Sequence, residues 1–256
     1  MKLRLDRLLV DRGLAPTRER AQALILAGRV LVDEQKVEKP GHAVQETSAL
    51  RMLGDDLRYV SRGGLKLEAT LRHWRIDLGG RFCLDVGAST GGFTDCMLQH
   101  GAARVLAVDT GYGQIAESLR RDLRVTLMER TNARNLVPGD LPHGINFFAM
   151  DVSFISATLV LPAVVRAIRG VGEPGLLEAV VLVKPQFEAG RENVGKGGIV
   201  RDPAAHQLAI ERVRACVAEV GGIAIEVIDS PILGTEGNRE FLLHTRIGVE
   251  AASLHC

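Results

Sequence analysis

The residues best suited to chemistry lie in the stretch Phe82-Cys83-Leu84-Asp85-Val86-Gly87-Ala88-Ser89-Thr90-Gly91-Gly92-Phe93. An apolar strand runs into Asp85, a turn of small residues follows, and a helix begins. Open α/β sheets bind ligands at the carboxyl ends of their strands. Gly87, Gly91 and Gly92 let a ligand approach the backbone there. Asp109 closes the next strand, 22 residues beyond Gly87. A carboxylate at that place can accept hydrogen bonds from both hydroxyls of a ribose. The turn reads G-A-S-T-G-G and fails the G-x-G-x-x-G pattern of dinucleotide sites. A sulfonium donor needs no pyrophosphate cradle, so the pattern favours S-adenosylmethionine over a nicotinamide cofactor.

Gly190-Arg191-Glu192-Asn193-Val194-Gly195-Lys196-Gly197 is similar to a phosphate-binding loop but ends in Gly197, where magnesium binding needs Ser or Thr. It reads either as a basic substrate loop or as a plain surface loop. Cys83, Cys96, Cys216 and Cys256 show no C-x-x-C spacing and no histidine completing a zinc pattern. They are expected to be reduced thiols of a cytoplasmic protein, with no metal.

The elements that must position these residues follow from periodicity. Leu3, Leu5, Leu8 and Leu9 repeat at helical spacing up to Gly13, and a second helix opens at Pro16-Thr17 and stops at Gly28. Short strands are expected at Val30–Val32, Leu50–Leu53 and Arg58–Val60. Ser61-Arg62-Gly63-Gly64 is the best boundary candidate, dividing the chain into domains 1–62 and 63–256. Beyond it strands and helices alternate, which implies a doubly wound, mostly parallel sheet. Ile223–Ile228 and Glu240–Arg246 have no helix between them and are expected to pair antiparallel at the sheet edge.

The chain has 256 residues, 46% hydrophobic and 25% charged, ordinary for a globular protein. Its net charge of +1 hides an uneven distribution: residues 1–62 hold twelve Lys+Arg against nine Asp+Glu. That excess is equally consistent with a nucleic-acid-facing module and with an ordinary solvated surface. The charged N-terminus is unlike a signal peptide, and no apolar run approaches the roughly 20 residues that span a bilayer.

At this point the chain resembles the TlyA family, bacterial ribosomal-RNA 2′-O-methyltransferases also labelled haemolysins. Leu5-Asp6 through Val32-Asp33 resembles an S4-type RNA-binding domain. Asp85–Asp95, Val108–Gln114, Asp151–Ser156 and Val183–Gly190 resemble the methyltransferase blocks of the FtsJ (RrmJ) type. The resemblance implies a Rossmann-like class I methyltransferase sheet, mostly parallel with an antiparallel edge strand, preceded by a small α+β S4-like domain. It implies a Lys-Asp-Lys-Glu catalytic set falling on Lys66, Asp151, Lys184 and Glu240, with Glu236 a rival for the last place.

A ribose hydroxyl is a poor nucleophile, and a lysine can take its proton only when neutral, below its ordinary pKa of about 10.4. Sequence does not decide which lysine does so; Lys184, at a strand's carboxyl end, is preferred. Asp85, Gly87, Ala88, Ser89, Gly91, Gly92, Phe93, Asp109 and Asn132 are expected to bind the donor. Asn132 is either a base-edge ligand or a simple loop residue. Arg4, Arg7, Arg12, Arg18, Arg20, Arg29 and Lys36 are expected to form a phosphate-contacting face. The implied partner is ribosomal RNA or ribosomal subunits, with no membrane and a monomer favoured. The implied target is a cytidine. The four residues before the first matched block point to the short form of the family and to 23S rRNA, with 16S as a second possibility. The alternatives are a non-catalytic RNA-binding protein that keeps the donor fold, and a haemolysin.

Overall fold

The computed structural model describes residues 2–15, 17–53, 58–171, 175–234 and 237–248. The chain divides into two compact units, Met1–Arg58 and Tyr59–Cys256.

The first unit runs β1 (Lys2–Arg4), α1 (Leu5–Asp11), α2 (Arg18–Leu26), β2 (Val30–Val32), β3 (Gln35–Lys36), β4 (Ala43–Gln45) and β5 (Leu50–Met52). Its core gathers Leu5, Leu8 and Leu9 of α1, Ala21, Leu24 and Ile25 of α2, and Val30 and Val32 of β2. The leucine and alanine spacing legible in sequence is therefore the seam between the two helices. Thr17 caps α2, its hydroxyl accepting the Arg20 amide at 3.2 Å.

The second unit runs α3 (Gly63–Trp74), β6 (Phe82–Val86), α4 (Gly92–Gln99), β7 (Arg104–Val108), α5 (Glu117–Arg120), β8 (Val125–Met128), β9 (Ile145–Met150), α6 (Ala157–Arg169), β10 (Leu177–Val183), α7 (Pro185–Glu188), α8 (Pro203–Glu219), β11 (Gly222–Asp229) and β12 (Phe241–Ile247). The sheet order is β11-β12-β10-β9-β6-β7-β8. β10, β9, β6, β7 and β8 are parallel, and β12 runs antiparallel to both β10 and β11. Side-chain alternation splits the core in two. Phe147, Val180, Leu182 and Leu242 pack on one face with α3 and α4. Phe148, Met150, Val181 and Leu243 pack on the other with α6 and α8.

The expected antiparallel pairing at the sheet edge is present: β11 and β12 pair there, with β12 one place in and β11 outermost. β12 is buried at all but one position, so it needs a neighbour on each side, whereas half-exposed β11 suits the edge. Arg58–Val60 is not a strand but a bend. Tyr59 there is buried, seated so closely on Gly64 that a Cβ at Gly64 would meet its ring at 2.2 Å. The Val60 amide donates to Asp95 at 2.7 Å.

Candidate active site

The sheet order reverses between β6 and β9, and at such a point the carboxyl ends of neighbouring strands open a crevice. A cavity of about 370 Å³ lies there, lined by Gly87, Ser89, Asp109, Gly111, Gln114, Thr131, Asn132, Asp151, Ser153 and Phe154 among others. Its described lining holds two carboxylates, Asp109 and Asp151, and no Lys or Arg. Asp109 is held by backbone amides: Ser89 donates to one oxygen at 2.8 Å and Gly111 to the other at 2.6 Å. A carboxylate has about four lone-pair sites, so two remain for hydroxyl donors. Asn132 lines the cavity and also caps the short turn Ala133–Asn135, accepting the Arg134 amide at 3.1 Å.

The glycine turn divides into residues that face the cavity and residues that build its floor. Gly87 and Ser89 line the cavity, while Ala88 lines a smaller recess beside it with Asp109 and Glu129. Gly87 has φ +86°, and a Cβ there would meet the Asp151 carbonyl oxygen at 2.5 Å. Glycine is needed so that the ends of β6 and β9 can close on each other. A Cβ at Gly92 would meet Ser61 Oγ at 2.2 Å, so this glycine seats α4 against the start of α3. Phe93 is buried, and neither it, Gly91 nor Gly92 is among the residues lining the cavity. Gly87→Ala is expected to weaken donor binding by about tenfold or more, roughly 1.4 kcal/mol or above. Titration calorimetry with the donor checks this, and unchanged affinity would show that the β6–β9 contact is not what shapes the cavity.

Asp85 is fully buried beneath the turn. One carboxylate oxygen accepts the Thr94 amide at 2.9 Å and the Thr94 hydroxyl at 2.6 Å, while Oδ1 has no hydrogen-bond partner. Burial pushes its carboxyl up to about 7; the Thr94 bonds pull it back, and the charges of Asp151 and Asp109 push it further. It therefore supports the turn rather than lining the cavity.

Beside the cavity stand two lysine–carboxylate pairs. Lys184, which directly follows β10, makes an ion pair with Asp151 at 2.6 Å and donates to Ser153 Oγ at 2.7 Å. Lys66, on α3, donates to Glu240 at 2.6 Å, and both of these are buried. Sheet register explains why residues so distant in sequence meet. Because β12 is antiparallel, its beginning lies at the same end as the carboxyl ends of the parallel strands, with Phe241 opposite Val183. Glu240 and Lys184 each stand one residue beyond that pair. Glu240 thus lies at the same strand end as Lys184; Glu236 lies outside the described residues. Asp151 does not cap α6: Ser156 does, accepting the Thr158 amide.

In the first unit the expected arginines divide by what they hold. Asp6 is buried and collects Arg4 at 2.9 Å, Arg18 at 3.1 Å and Gln22 at 2.9 Å. The Arg4 bond leads in holding its carboxyl well below the usual carboxylate range. Arg12 ties the carbonyls of Ser48 and Glu46, and Arg29 that of Leu53. Arg7 is exposed, with Asp11 at 3.7 Å, and Lys36 is paired with Glu38 at 2.8 Å. Arg20 is half-buried.

The sheet order, the acidic crevice and the charged pairs at its rim define a class I methyltransferase fold. The FtsJ-like methyltransferase family model matches residues 59–247, and the S4 domain model matches residues 3–49. A Bacillus subtilis chain carried as a candidate rRNA methyltransferase, YqxC, is 50% identical over 244 residues, 95% of this chain and 85% of that one. The 16S/23S rRNA (cytidine-2′-O)-methyltransferase TlyA of Mycobacterium tuberculosis is 44% identical over 252 residues, 98% of this chain and 92% of that one. A solved structure of a chain assigned as a hemolysin, from Streptococcus thermophilus, is 42% identical with a TM-score of 0.74, over 97% of this chain and 90% of that one. The chain belongs to the FtsJ-like methyltransferase family and, within it, to the TlyA group.

Proposed function

We propose that this chain transfers a methyl group from S-adenosylmethionine to the 2′-hydroxyl of a cytidine in ribosomal RNA. The observation that carries the reading is the pairing of Lys184–Asp151 and Lys66–Glu240 beside an acidic cavity without a basic residue in its described lining. A cationic donor fits that lining, and a pyrophosphate does not. Asp109 would hold the ribose hydroxyls of the donor, and Ser89, Gly87 and Asn132 would border it. The donor supplies an electrophilic methyl group on sulfur. Lys184, in its neutral form, would take the acceptor proton, and its two partners, Asp151 and Ser153, hold it beside the cavity they line. Lys66 and Glu240 would hold the second cation beside it. The M. tuberculosis relative's name supports the ribosomal cytidine as acceptor. A protein acting on ribosomal subunits would work in the cytoplasm.

Labelled methyl transfer to isolated ribosomal subunits and to bare rRNA tests this, and primer extension then maps the position as 23S or 16S. Donor binding without incorporation would leave an RNA-binding protein instead. Among the described residues no helix is long and apolar enough to cross a membrane.

The N-terminal unit would anchor the RNA through phosphate contacts. Arg7→Ala is expected to weaken rRNA binding and to lower the slope of log K against log salt by about 1. Its own ion pair is worth about 0–1 kcal/mol, so folding should hardly change. Arg12→Ala should instead lower thermal stability, because it frees two loop carbonyls. Filter binding across a salt series with parallel melting curves separates the two; an unchanged slope for Arg7→Ala would remove that residue from the RNA face.

A further inference from the structure

We propose that Glu188 is a positioning residue for methyl transfer, its buried carboxylate clamping the start of α6 to the end of α7 so that the Asp151–Ser156 loop stays in register with Lys184. The inference rests on the reading of Lys184 and Asp151 given above. Lys184 directly precedes α7, and Glu188 is the last residue of that single turn. One Glu188 oxygen accepts the Ala157 amide at 2.7 Å, and the other accepts the Ser156 hydroxyl at 2.5 Å. The loop is therefore held at both ends from one element. Lys184 grips Asp151 and Ser153 at its start, and Glu188 grips Ser156 and Ala157 at its end.

Between the two grips lies Phe154, with φ +64°, a conformation that a residue with a side chain adopts only at a cost. Such a turn persists where its surroundings over-determine it, and the second grip supplies that constraint. A negative carboxylate at a helix start is also favourable in itself. Two groups of α8 face Glu188. Arg212 donates to its main-chain carbonyl at 2.6 Å, and the Cys216 thiol, pushed up to about 11 chiefly by burial, donates to the Thr158 carbonyl. Burial raises the Glu188 carboxyl, while Ser156, Ala157 and Arg212 pull it back. The transfer reaction itself gives Glu188 no role, yet the group is kept buried at the hinge between the two strand ends that carry Asp151 and Lys184.

The test compares the full-length protein with Glu188→Ala, Glu188→Gln and Ser156→Ala. Glu188→Ala is expected to lower kcat by about 10- to 100-fold with little change in KM for rRNA, since a misplacement of about 1 Å costs on that order. Glu188→Gln, which can still accept the Ala157 amide, should recover most of that loss. Mere loss of folded protein would instead lower the rate in step with the folded fraction read from parallel melts, with no recovery specific to Glu188→Gln. Hydrogen exchange at residues 152–157 should accelerate in Glu188→Ala and, less strongly, in Ser156→Ala, which serves if the first variant does not fold. Wild-type exchange in that loop, or a rate loss that only tracks the folded fraction, would overturn the inference. Lys184→Ala, run alongside, separates the failures. If it keeps full turnover, the catalytic reading is wrong. If it is inactive while Glu188→Ala is normal, only the positioning role is wrong.

Discussion

Lys184→Ala is expected to lower kcat by about 10²–10⁴-fold, the usual contribution of a positioned general base, while donor affinity changes little. The two parts of this result have different causes. Lys184 reaches the cavity only through its partners, because Asp151 and Ser153 line it and the lysine itself is not among the lining residues. If the donor binds in the cavity that Asp109, Ser89 and Gly87 line, its affinity should therefore persist. What disappears is the amine that can accept the proton of the attacking hydroxyl. Single-turnover methyl transfer, with donor binding measured separately, checks both parts. If Lys66→Ala stops turnover and Lys184→Ala does not, the base belongs to the other pair. Equal losses in donor affinity and in rate would mean that Lys184 shapes the cavity rather than the chemistry.

The second large effect concerns stability. Breaking the Lys66–Glu240 pair from either side leaves one buried charge without its partner. Such changes cost about 3–5 kcal/mol, whereas replacing both members by apolar groups of similar size is often neutral or better. Lys66→Met and Glu240→Leu should each lower the melting temperature markedly, and the double variant should regain most of it. The double variant should nevertheless stay inactive if the pair serves the reaction. Additive losses would show that the two side chains do not act as a pair. A stable double variant with full activity would show the pair to be structural alone. Thermal melts of the four proteins, combined with the methylation assay, give every corner of this cycle.

These predictions depend on how much of the site local sequence reveals. The place of Asp109 at the crevice is legible because it closes the strand after the glycine turn, and it does line the cavity. The place of Gly87 is legible from the turn itself, although its φ and its closeness to the Asp151 carbonyl show that β6–β9 packing also demands glycine. Asp85 reads in sequence as a donor ligand, but it is fully buried and bonded to Thr94. A strand-end carboxylate looks the same in sequence whether it points up into the crevice or down beneath the turn. Glu188 has no signal in the sequence, since a lone glutamate after Pro-Gln-Phe carries no pattern. The arginines of the first unit were read as one basic face, yet Arg12 and Arg29 spend hydrogen bonds on loop carbonyls.

By itself, the sequence determined what repeats or turns locally. It set the helical spacing of Leu5, Leu8 and Leu9, the apolar strands, the glycine turn at residues 82–93 with Asp109, and through these the alternating architecture. Such features act between neighbours, so local periodicity carries them. Tertiary structure decided the pairings: Lys66 with Glu240 across 174 residues, Lys184 with Asp151, and Glu188 with the start of α6. The reason is the placement of β12. Only when that strand enters antiparallel between β10 and β11 does its beginning reach the carboxyl ends of the parallel strands. Its register there brings Glu240 level with Lys184 at the end of β10.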